Sequence, residues 1–156
     1  MERKTAEEVI REYYKTVYRL AFARMGRRED AEEVTQEVFL RFLHKAPEFT
    51  SAEHYKAWLL RVTVNCCNSL LRSVWRRRVG ELTEEIPFEE TEDLLLYREL
   101  QKLPEKYRQV IHLFYYEELS VAQIAGLLHR KESTIRTQLT RARAMLKEVL
   151  GDDYAI

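Results

Sequence analysis

The segment best equipped for chemistry is a basic stretch near the carboxyl end of the 156-residue chain. From His129 to Lys147 it holds six basic residues and one acidic residue. Beside an apolar stripe at helical spacing, a second stripe carries cations and a hydroxyl: Arg136, Thr140, Arg143 and Lys147. A basic helix face with Thr and Gln can contact phosphates and base edges in a DNA major groove. The pattern predicts nucleic-acid binding, although a solvated amphipathic helix would explain the basic face alone.

The surrounding residues place this basic helix in a helix-turn-helix pattern. The tetrapeptide beginning at Ser120 has capping-box form and opens a short helix to about Leu128. Ala125 is small, as a close helix crossing requires, and a brief turn leads to a final helix over about 132–149. The predicted core of this segment is Ile124, Leu128, Ile135, Leu139, Ala142 and Leu146.

Catalytic chemistry has little support. The four histidines are scattered, and neither HExxH, CxxC nor a Gly-rich phosphate loop occurs. Cys66 and Cys67 are adjacent, so a disulfide between them would be strained, and they fit small buried hydrophobes better than nucleophiles. We therefore predict that the protein is not an enzyme and has no catalytic residue, no metal site and no cofactor.

The elements that must position the basic stretch are predicted to be all-α. The chain is 46% hydrophobic and 33% charged, and four Gly and three Pro are too few for a turn-rich sandwich or barrel. No apolar run approaches the roughly 18 residues of a membrane span, and the charged amino-terminal stretch is unlike a signal peptide. We expect a soluble, cytoplasmic protein.

Three helices are predicted in the first half. The first begins at Thr5, which forms a capping box with Glu8, and stops near Gly26. The second covers 29–44, and the third, again opened by a capping box, covers about 50–77. Their apolar stripes are Val9, Tyr13, Val17, Leu20 and Phe22; Ala31, Val34, Val38, Phe39 and Phe42; and Tyr55, Trp58, Leu59, Val62, Cys66, Leu70 and Val74.

Between the two halves the sequence loses its helical periodicity. A short helix is predicted over 94–103, and Pro104 suits the first turn of the helix that follows. That helix is predicted to bury Tyr107, Val110, Ile111, Phe114 and Tyr115.

Charge divides the chain into three parts although the net charge is zero. Residues 1–80 hold 16 basic and 11 acidic residues, 81–99 hold one and eight, and 100–156 hold nine and seven. We therefore predict two small basic domains, 1–78 and 94–156, joined by an acidic linker, 79–93.

Two blocks of sequence resemble the extracytoplasmic-function sigma factors, small members of the sigma-70 family that give bacterial RNA polymerase its promoter specificity. DAEEVTQEVFLRFL (30–43) followed by WLLRVTVNCCNSLLR (58–72) is similar to their region 2. LPEKYRQVIHLFYYEELS (103–120), with the helix-turn-helix, is similar to their region 4. The resemblance implies a helical bundle, a helix-turn-helix and promoter-specific transcription initiation.

By this resemblance, the 30–43 helix binds the clamp helices of the polymerase β′ subunit. The implied contacts are Asp30, Glu32, Glu33, Gln36, Glu37 and Phe39. Acidic and amide groups on an exposed face suit a basic partner helix, although they also fit a solvated acidic face. The resemblance further implies that the carboxyl-terminal domain contacts the β flap, and that an anti-sigma factor masks the binding faces.

The 58–78 block is implied to melt and capture the −10 promoter element. An opened strand needs pockets for bases, aromatic or amide contacts and cations along its backbone. The candidates are Arg61, Asn65, Asn68, Arg72, Trp75, Arg76, Arg77 and Arg78. Trp58 also matches the family, but its place on the apolar stripe favours a core position.

The basic helix is implied to read the −35 element in duplex DNA. The candidates are Arg130, Lys131, Ser133, Thr134, Arg136, Thr137, Gln138, Thr140, Arg141, Arg143 and Lys147. The chain departs from the family at His129 and Ser133, where Gly is frequent, at Gln138, where Arg is frequent, and at Ser69, where Asp or Asn is common. Histidine tolerates a left-handed conformation better than β-branched residues do, so we expect the turn to survive.

Two alternatives stay open. The acidic linker is either a flexible tether or, by the resemblance, a phosphate mimic that occupies the basic RNA exit channel of the polymerase. The protein itself could instead be a stand-alone helix-turn-helix regulator that binds duplex DNA without polymerase. The sequence offers neither a dimerisation heptad nor a ligand domain for such a regulator.

Overall fold

The computed structural model describes residues 5–45, 52–77 and 100–150, with 52–53, 73–77 and 149–150 described by backbone alone. Within these ranges the chain is helical and has no strand, which confirms the predicted all-α class. The predicted linker, the capping residues at 50–51 and most of the predicted 94–103 helix lie outside them. The helices are α1 (Ala6–Met25), α2 (Arg28–Lys45), α3 (Ala52–Arg77), α4 (Glu105–Ile111), which continues as a π-helical segment (His112–Tyr116), α5 (Val121–Leu128) and α6 (Glu132–Leu150).

The chain divides into two compact units, Met1–Thr83 and Glu84–Ile156. In the first unit α1, α2 and α3 pack against one another in all three pairs. The apolar stripes predicted for α1 and α2 are buried throughout, which confirms them. Burial of these stripes supplies most of the helical stability, because isolated helices of this length are marginal in water.

Both ends of α1 are set by local contacts. The Glu8 N–H donates to the Thr5 hydroxyl oxygen at 3.2 Å, and the Thr5 hydroxyl donates to the Glu8 carboxylate at 3.1 Å. At the other end Gly26 adopts a left-handed conformation with φ of 73°, and its N–H donates to the Phe22 carbonyl. Glycine adopts this conformation without steric cost. The helix therefore begins after Thr5 and ends before Gly26, as the sequence predicted.

The buried face of α3 is broader than the predicted stripe. Trp58, Val62 and Leu70 are only half-buried, whereas Val64 and Cys67 are buried. Helix α3 contacts both α1 and α2, so its buried surface extends around the helix beyond a single stripe.

In the second unit α6 packs against α4 and α5. The predicted α6 core is buried, but the prediction for α4 is wrong at its end: Phe114 is half-buried and Tyr115 is 39% exposed. Leu113 and His112 are instead fully buried. The π-helical segment explains the difference, because its wider turn contains an extra residue and rotates the inward face.

The turn between α5 and α6 is closed by side-chain and backbone hydrogen bonds. Ser120 and Gln123 form the predicted capping box at the start of α5, with bonds of 2.9 and 3.1 Å. At its end His129 is left-handed, with φ of 56° and ψ of 48°, as predicted. The Arg130 N–H donates to the Ala125 carbonyl at 3.0 Å, which completes the turn.

Replacing His129 with Gly is expected to raise the free energy of unfolding of the second unit by about 0.5–1 kcal/mol. A left-handed conformation costs a non-glycine residue about 1–2 kcal/mol, part of which the greater unfolded-state entropy of glycine offsets. Urea denaturation of the full chain followed by circular dichroism measures the change. As a control, Ala144→Gly lies inside the right-handed helix α6 of the same unit and should lower stability. A lower midpoint for His129→Gly would mean that the imidazole makes a stabilising contact.

Candidate nucleic-acid interface

One exposed surface lies along α2. Glu33, Gln36 and Glu37 are exposed, and Glu32 is half-buried. The first three help to line a groove of about 370 Å³ between α2 and α3. Leu40, which is 55% exposed, also lines this groove, so its wall is part acidic and part apolar. We call this surface the α2 groove.

The α2 groove has charged walls and a neutral thiol beside them. Arg41 Nε donates to the Glu37 carboxylate at 2.9 Å, and this hydrogen bond is the main reason the pKa of Arg41 is raised. Cys66 also lines the groove, and burial raises the pKa of its thiol although Arg41 opposes the shift. A cysteine with a raised pKa is a poor nucleophile at neutral pH.

Two of the six polymerase-contact candidates do not lie on this exposed surface. Asp30 is 1% exposed, and its carboxylate lies 3.6 Å from Nε of Arg27. Phe39 is buried, with its ring stacked on Tyr14 at a centroid distance of 6.0 Å. Asp30 was expected on the exposed acidic face, and this expectation is wrong because its side chain is packed in the first unit. Phe39 is buried, as its place on the apolar stripe of α2 predicted.

A second surface is a row of polar side chains along α3. Arg61, Asn65, Asn68 and Arg72 are all exposed, and their spacing of four, three and four places them on one helix face. We call this the α3 row. The side-chain oxygen Oδ1 of Asn68 accepts a hydrogen bond from Nη2 of Arg24 at 3.3 Å, which connects the row to α1.

The remaining −10 candidates fall at the end of α3. Trp75, Arg76 and Arg77 lie in the part of the helix described by backbone alone, and Arg78 lies outside the described residues. Trp58, in contrast, packs edge-on against Phe42 with a centroid distance of 5.8 Å. This contact agrees with the core position that its place on the apolar stripe predicted, although the side chain is only half-buried.

The third surface is the polar face of α6 and the turn before it. All eleven −35 candidates keep exposed or half-buried side chains there: Arg130, Lys131, Ser133, Thr134, Arg136, Thr137, Gln138, Thr140, Arg141, Arg143 and Lys147. The Thr137 and Thr140 hydroxyls donate to backbone carbonyls one turn earlier, at 3.0 and 2.9 Å. Their oxygen lone pairs can still accept, and the neighbouring cations can donate to phosphates.

Five of these side chains line a small polar groove at the start of α6. It measures about 270 Å³ and is completed by Lys106 and Tyr107 from α4. Lys106 was not predicted as a site residue, because 27 or more positions separate it from the α6 residues beside it and no local spacing connects them. The α6 members are Ser133, Thr134, Thr137, Gln138 and Arg141.

Arg143 differs from its neighbours on the predicted basic stripe. Its Nε donates to the Tyr115 hydroxyl at 2.8 Å, and its guanidinium lies over the Phe114 ring, 5.3 Å from the centroid. The π-helical segment presents these two rings, so Arg143 joins that segment to α6. Its first role in the free protein is therefore structural, a contact that helical periodicity does not reveal.

Residues 5–45, 52–77 and 100–150 contain no group of three or more His, Cys, Asp or Glu side chains arranged to hold a metal ion. None of the helices within them combines the length and the apolar character needed to cross a membrane.

Comparison with known proteins identifies the family. Residues 9–77 match the model of sigma-70 region 2, and residues 93–146 match that of sigma-70 region 4. The chain is 29% identical to the ECF RNA polymerase sigma factor SigE of Mycolicibacterium smegmatis over 93% of its own length and 61% of the relative's. It is 25% identical to the ECF RNA polymerase sigma factor SigW of Bacillus subtilis, over 93% and 88% of the two lengths. The chain belongs to the sigma-70 family, in its extracytoplasmic-function group.

A solved structure shares the fold. The sigma factor RpoE of Bartonella quintana, crystallised with the anti-sigma factor NepR, aligns with a TM-score of 0.76 at 22% identity, over 95% of this chain and 98% of that one. Sigma factors direct transcription initiation and are known as initiation factors without enzymatic activity. The chain spans only 61% of the length of SigE, so its particular contacts are matters for proposal.

Proposed function

We propose that this protein binds core RNA polymerase and directs initiation by recognising −35 and −10 promoter elements and capturing the opened −10 strand. Residues 1–78 would act as region 2, 79–93 as the acidic linker and 94–156 as region 4. The observation that carries the proposal is the presence of two recognition systems in one chain: the α3 row beside the α2 groove, and a helix-turn-helix with a basic face. A stand-alone regulator needs only the second.

The α2 groove is the proposed docking site for the β′ clamp helices. Glu33, Gln36 and Glu37 offer acceptors on the exposed wall, and Leu40 adds apolar area beside them. Such a surface suits an amphipathic partner helix with basic residues, since helices commonly bind grooves through apolar anchors and rim charges. Glu32 would add to the rim, whereas Asp30 and Phe39 would hold α2 in place from inside the unit.

The α3 row is the proposed site of strand capture. Its amides can hydrogen-bond to unpaired base edges, and its guanidinium groups can contact phosphates on the same strand. Single-stranded DNA needs both kinds of contact because its bases and backbone are exposed together. Trp75, Arg76, Arg77 and Arg78 would extend this surface by offering an aromatic face and more cations.

The polar face of α6 is the proposed reader of the −35 duplex. Arg and Lys side chains position a helix on the backbone, while Thr, Gln and Arg can reach base edges in the major groove. Lys106 lies beside the start of α6 and would make a further contact to the DNA phosphate backbone. The same unit would contact the polymerase β flap.

The family also suggests where the protein works and what restrains it. Because its partner polymerase transcribes the bacterial chromosome, we propose a cytoplasmic location. The RpoE structure includes an anti-sigma factor, and this supports a similar partner for the present chain. The chain would catalyse no reaction itself, because RNA synthesis belongs to the polymerase.

The proposal is tested with purified core RNA polymerase from the bacterium that encodes the protein. The full chain is mixed with core, passed over a sizing column and supplied with genomic fragments and nucleotides. We expect co-elution and new transcripts with defined start sites. Failure to bind core, together with tight duplex binding by the protein alone, would favour the stand-alone regulator.

Replacing Asn65 and Arg72 together with Ala is expected to lower occupancy of the open promoter complex by about 10- to 100-fold. A hydrogen bond is worth about 0.5–1.5 kcal/mol net, and more when one partner is charged; this variant removes one contact of each kind. Permanganate footprinting of the −10 region measures the loss, and affinity for core should not change. Lys15→Ala, which removes an exposed cation from α1, is the control and should open promoters normally. Normal opening by the double variant would exclude the α3 row from strand capture.

A further inference from the structure

A hydrogen bond joins the helix-turn-helix bend to the first half of the basic helix. Nη1 of Arg130 donates to the side-chain oxygen of Gln138 at 3.3 Å. The two residues are eight positions apart, so the bond runs from the turn to the second turn of α6. Arg130 is exposed and Gln138 is half-buried at the surface that is proposed to face DNA.

The chemistry of the pair determines which end of the amide is available. A guanidinium has five N–H donors and no acceptor, so only the amide oxygen of Gln138 can face it. The assignment of oxygen and nitrogen in this amide is therefore dictated by its partner. The NH₂ group of Gln138 must point away from Arg130 and is the end presented to a ligand.

The position of Arg130 is itself restrained. The left-handed conformation of His129 turns the chain, and the Arg130 N–H donates to the Ala125 carbonyl at 3.0 Å. Because this bond fixes the backbone at Arg130, the guanidinium starts from a defined point next to α6. The pair is thus built from the fold and does not depend on DNA to bring it together.

An oriented amide has a different preference for bases from a free one. A free Gln matches adenine, because it can accept from N6 and donate to N7 at once. Gln138 turns its amide oxygen toward Arg130, so the end that faces away from Arg130 carries the two N–H donors. Guanine is the base that presents two acceptors, N7 and O6, in the major groove.

We propose that Arg130 is a specificity-positioning residue, which orients Gln138 so that this side chain selects guanine over adenine at one position of the −35 element. The inference rests on the proposed role of α6 in reading that element. Gln138 also lines the polar groove with Thr134 and Arg141. These two neighbours can bind the adjacent DNA phosphates while the amide of Gln138 contacts the base edge.

The test uses the full chain in complex with core polymerase and a promoter library randomised across the −35 element. Bound fragments are selected and sequenced for the native protein and for four variants. We expect the native complex to enrich guanine over adenine by about tenfold or more at one position. Gln138→Ala should remove the guanine preference at that position and leave the preferences at the other −35 positions unchanged. Gln138→Glu, which has acceptors only, should move it to cytosine, whose N4 donates.

Two substitutions of Arg130 separate orientation from simple charge. Arg130→Ala leaves the amide free to accept and donate at once, so adenine should replace guanine as the preferred base at the same position. Arg130→Lys keeps a cation with donors only and should retain the guanine preference. If Arg130→Ala merely weakened binding to all sequences equally, Arg130 would be a phosphate contact and the inference would be wrong.

The result also distinguishes this inference from the broader proposal. If the chain formed no complex with core, or if no −35 position were enriched, the proposed function itself would fail. If −35 positions were enriched but none responded to Gln138 substitutions, the proposed function would stand and only the inference about Gln138 would be overturned.

Discussion

Replacing Glu33 and Glu37 with Lys is expected to weaken binding to core RNA polymerase by about 100-fold or more. Both carboxylates are exposed on the wall of the α2 groove. If a basic helix docks there, each substitution removes an attraction and places a like charge against the partner, which costs several kcal/mol in total. Size-exclusion chromatography and a titration with fluorescently labelled protein measure the affinity.

A matched control addresses the loss of a helical ion pair. Glu37→Lys breaks the bond to Arg41, and Glu7→Lys in α1 breaks the corresponding exposed pair with Arg11, where the two groups lie 2.7 Å apart. Exposed pairs of this kind contribute little to stability, so both proteins should stay folded. Glu7→Lys should bind core normally. Equal binding by all the proteins would show that polymerase docks elsewhere.

Replacing Phe42 with Ala is expected to lower the free energy of unfolding of the first unit by about 3–5 kcal/mol. Phe42 is 4% exposed, and its ring lies 6.2 Å from that of Tyr55 and 5.8 Å from that of Trp58. Its removal leaves a cavity between α2 and α3 and abolishes both aromatic contacts. Because small domains are stable by only about 5–15 kcal/mol, the remaining stability would be slight.

The two tryptophans make this loss measurable for one unit. Trp58 and Trp75 are the only tryptophans of the chain and both belong to the first unit, so their fluorescence in a urea titration reports on that unit. Leu43→Ala is the control, since Leu43 also lies on α2 but is 51% exposed. That variant should change stability by less than about 0.5 kcal/mol. Similar losses in the two variants would contradict the assignment of Phe42 to the core.

The features that could be predicted from the sequence are those set by neighbouring residues. The Ser120 capping box, the Gly26 stop and the left-handed His129 each depend on conformations and hydrogen bonds within one or two turns. The apolar stripe of α6 was equally predictable, because one helical period determines which side chains face the core. For the same reason the exposed α3 row follows directly from its spacing.

The features that could not be predicted depend on contacts between distant residues or on irregular backbone. Asp30 was expected on a solvated acidic face, but packing and Arg27 hold it inside. Arg143 fits the basic stripe by spacing, yet its partner Tyr115 is 28 residues away. The polar groove beside α6 similarly needs Lys106 from another helix. The placement of Asp30, Arg143 and Lys106 therefore could not be predicted from helical periodicity.

The π-helical segment has a consequence for aligning this chain with its relatives. Its Glu117 N–H donates to the His112 carbonyl at 3.2 Å, which encloses one residue more than an α turn does. Against a relative whose helix is regular here, the alignment needs a single-residue gap within 112–116 or in the turn before α5. If the gap were omitted, every following position would be paired with its neighbour, about 100° around the helix. Gln138 would then be compared with a residue on a different face, and promoter preferences inferred from such an alignment would be assigned to the wrong side chain.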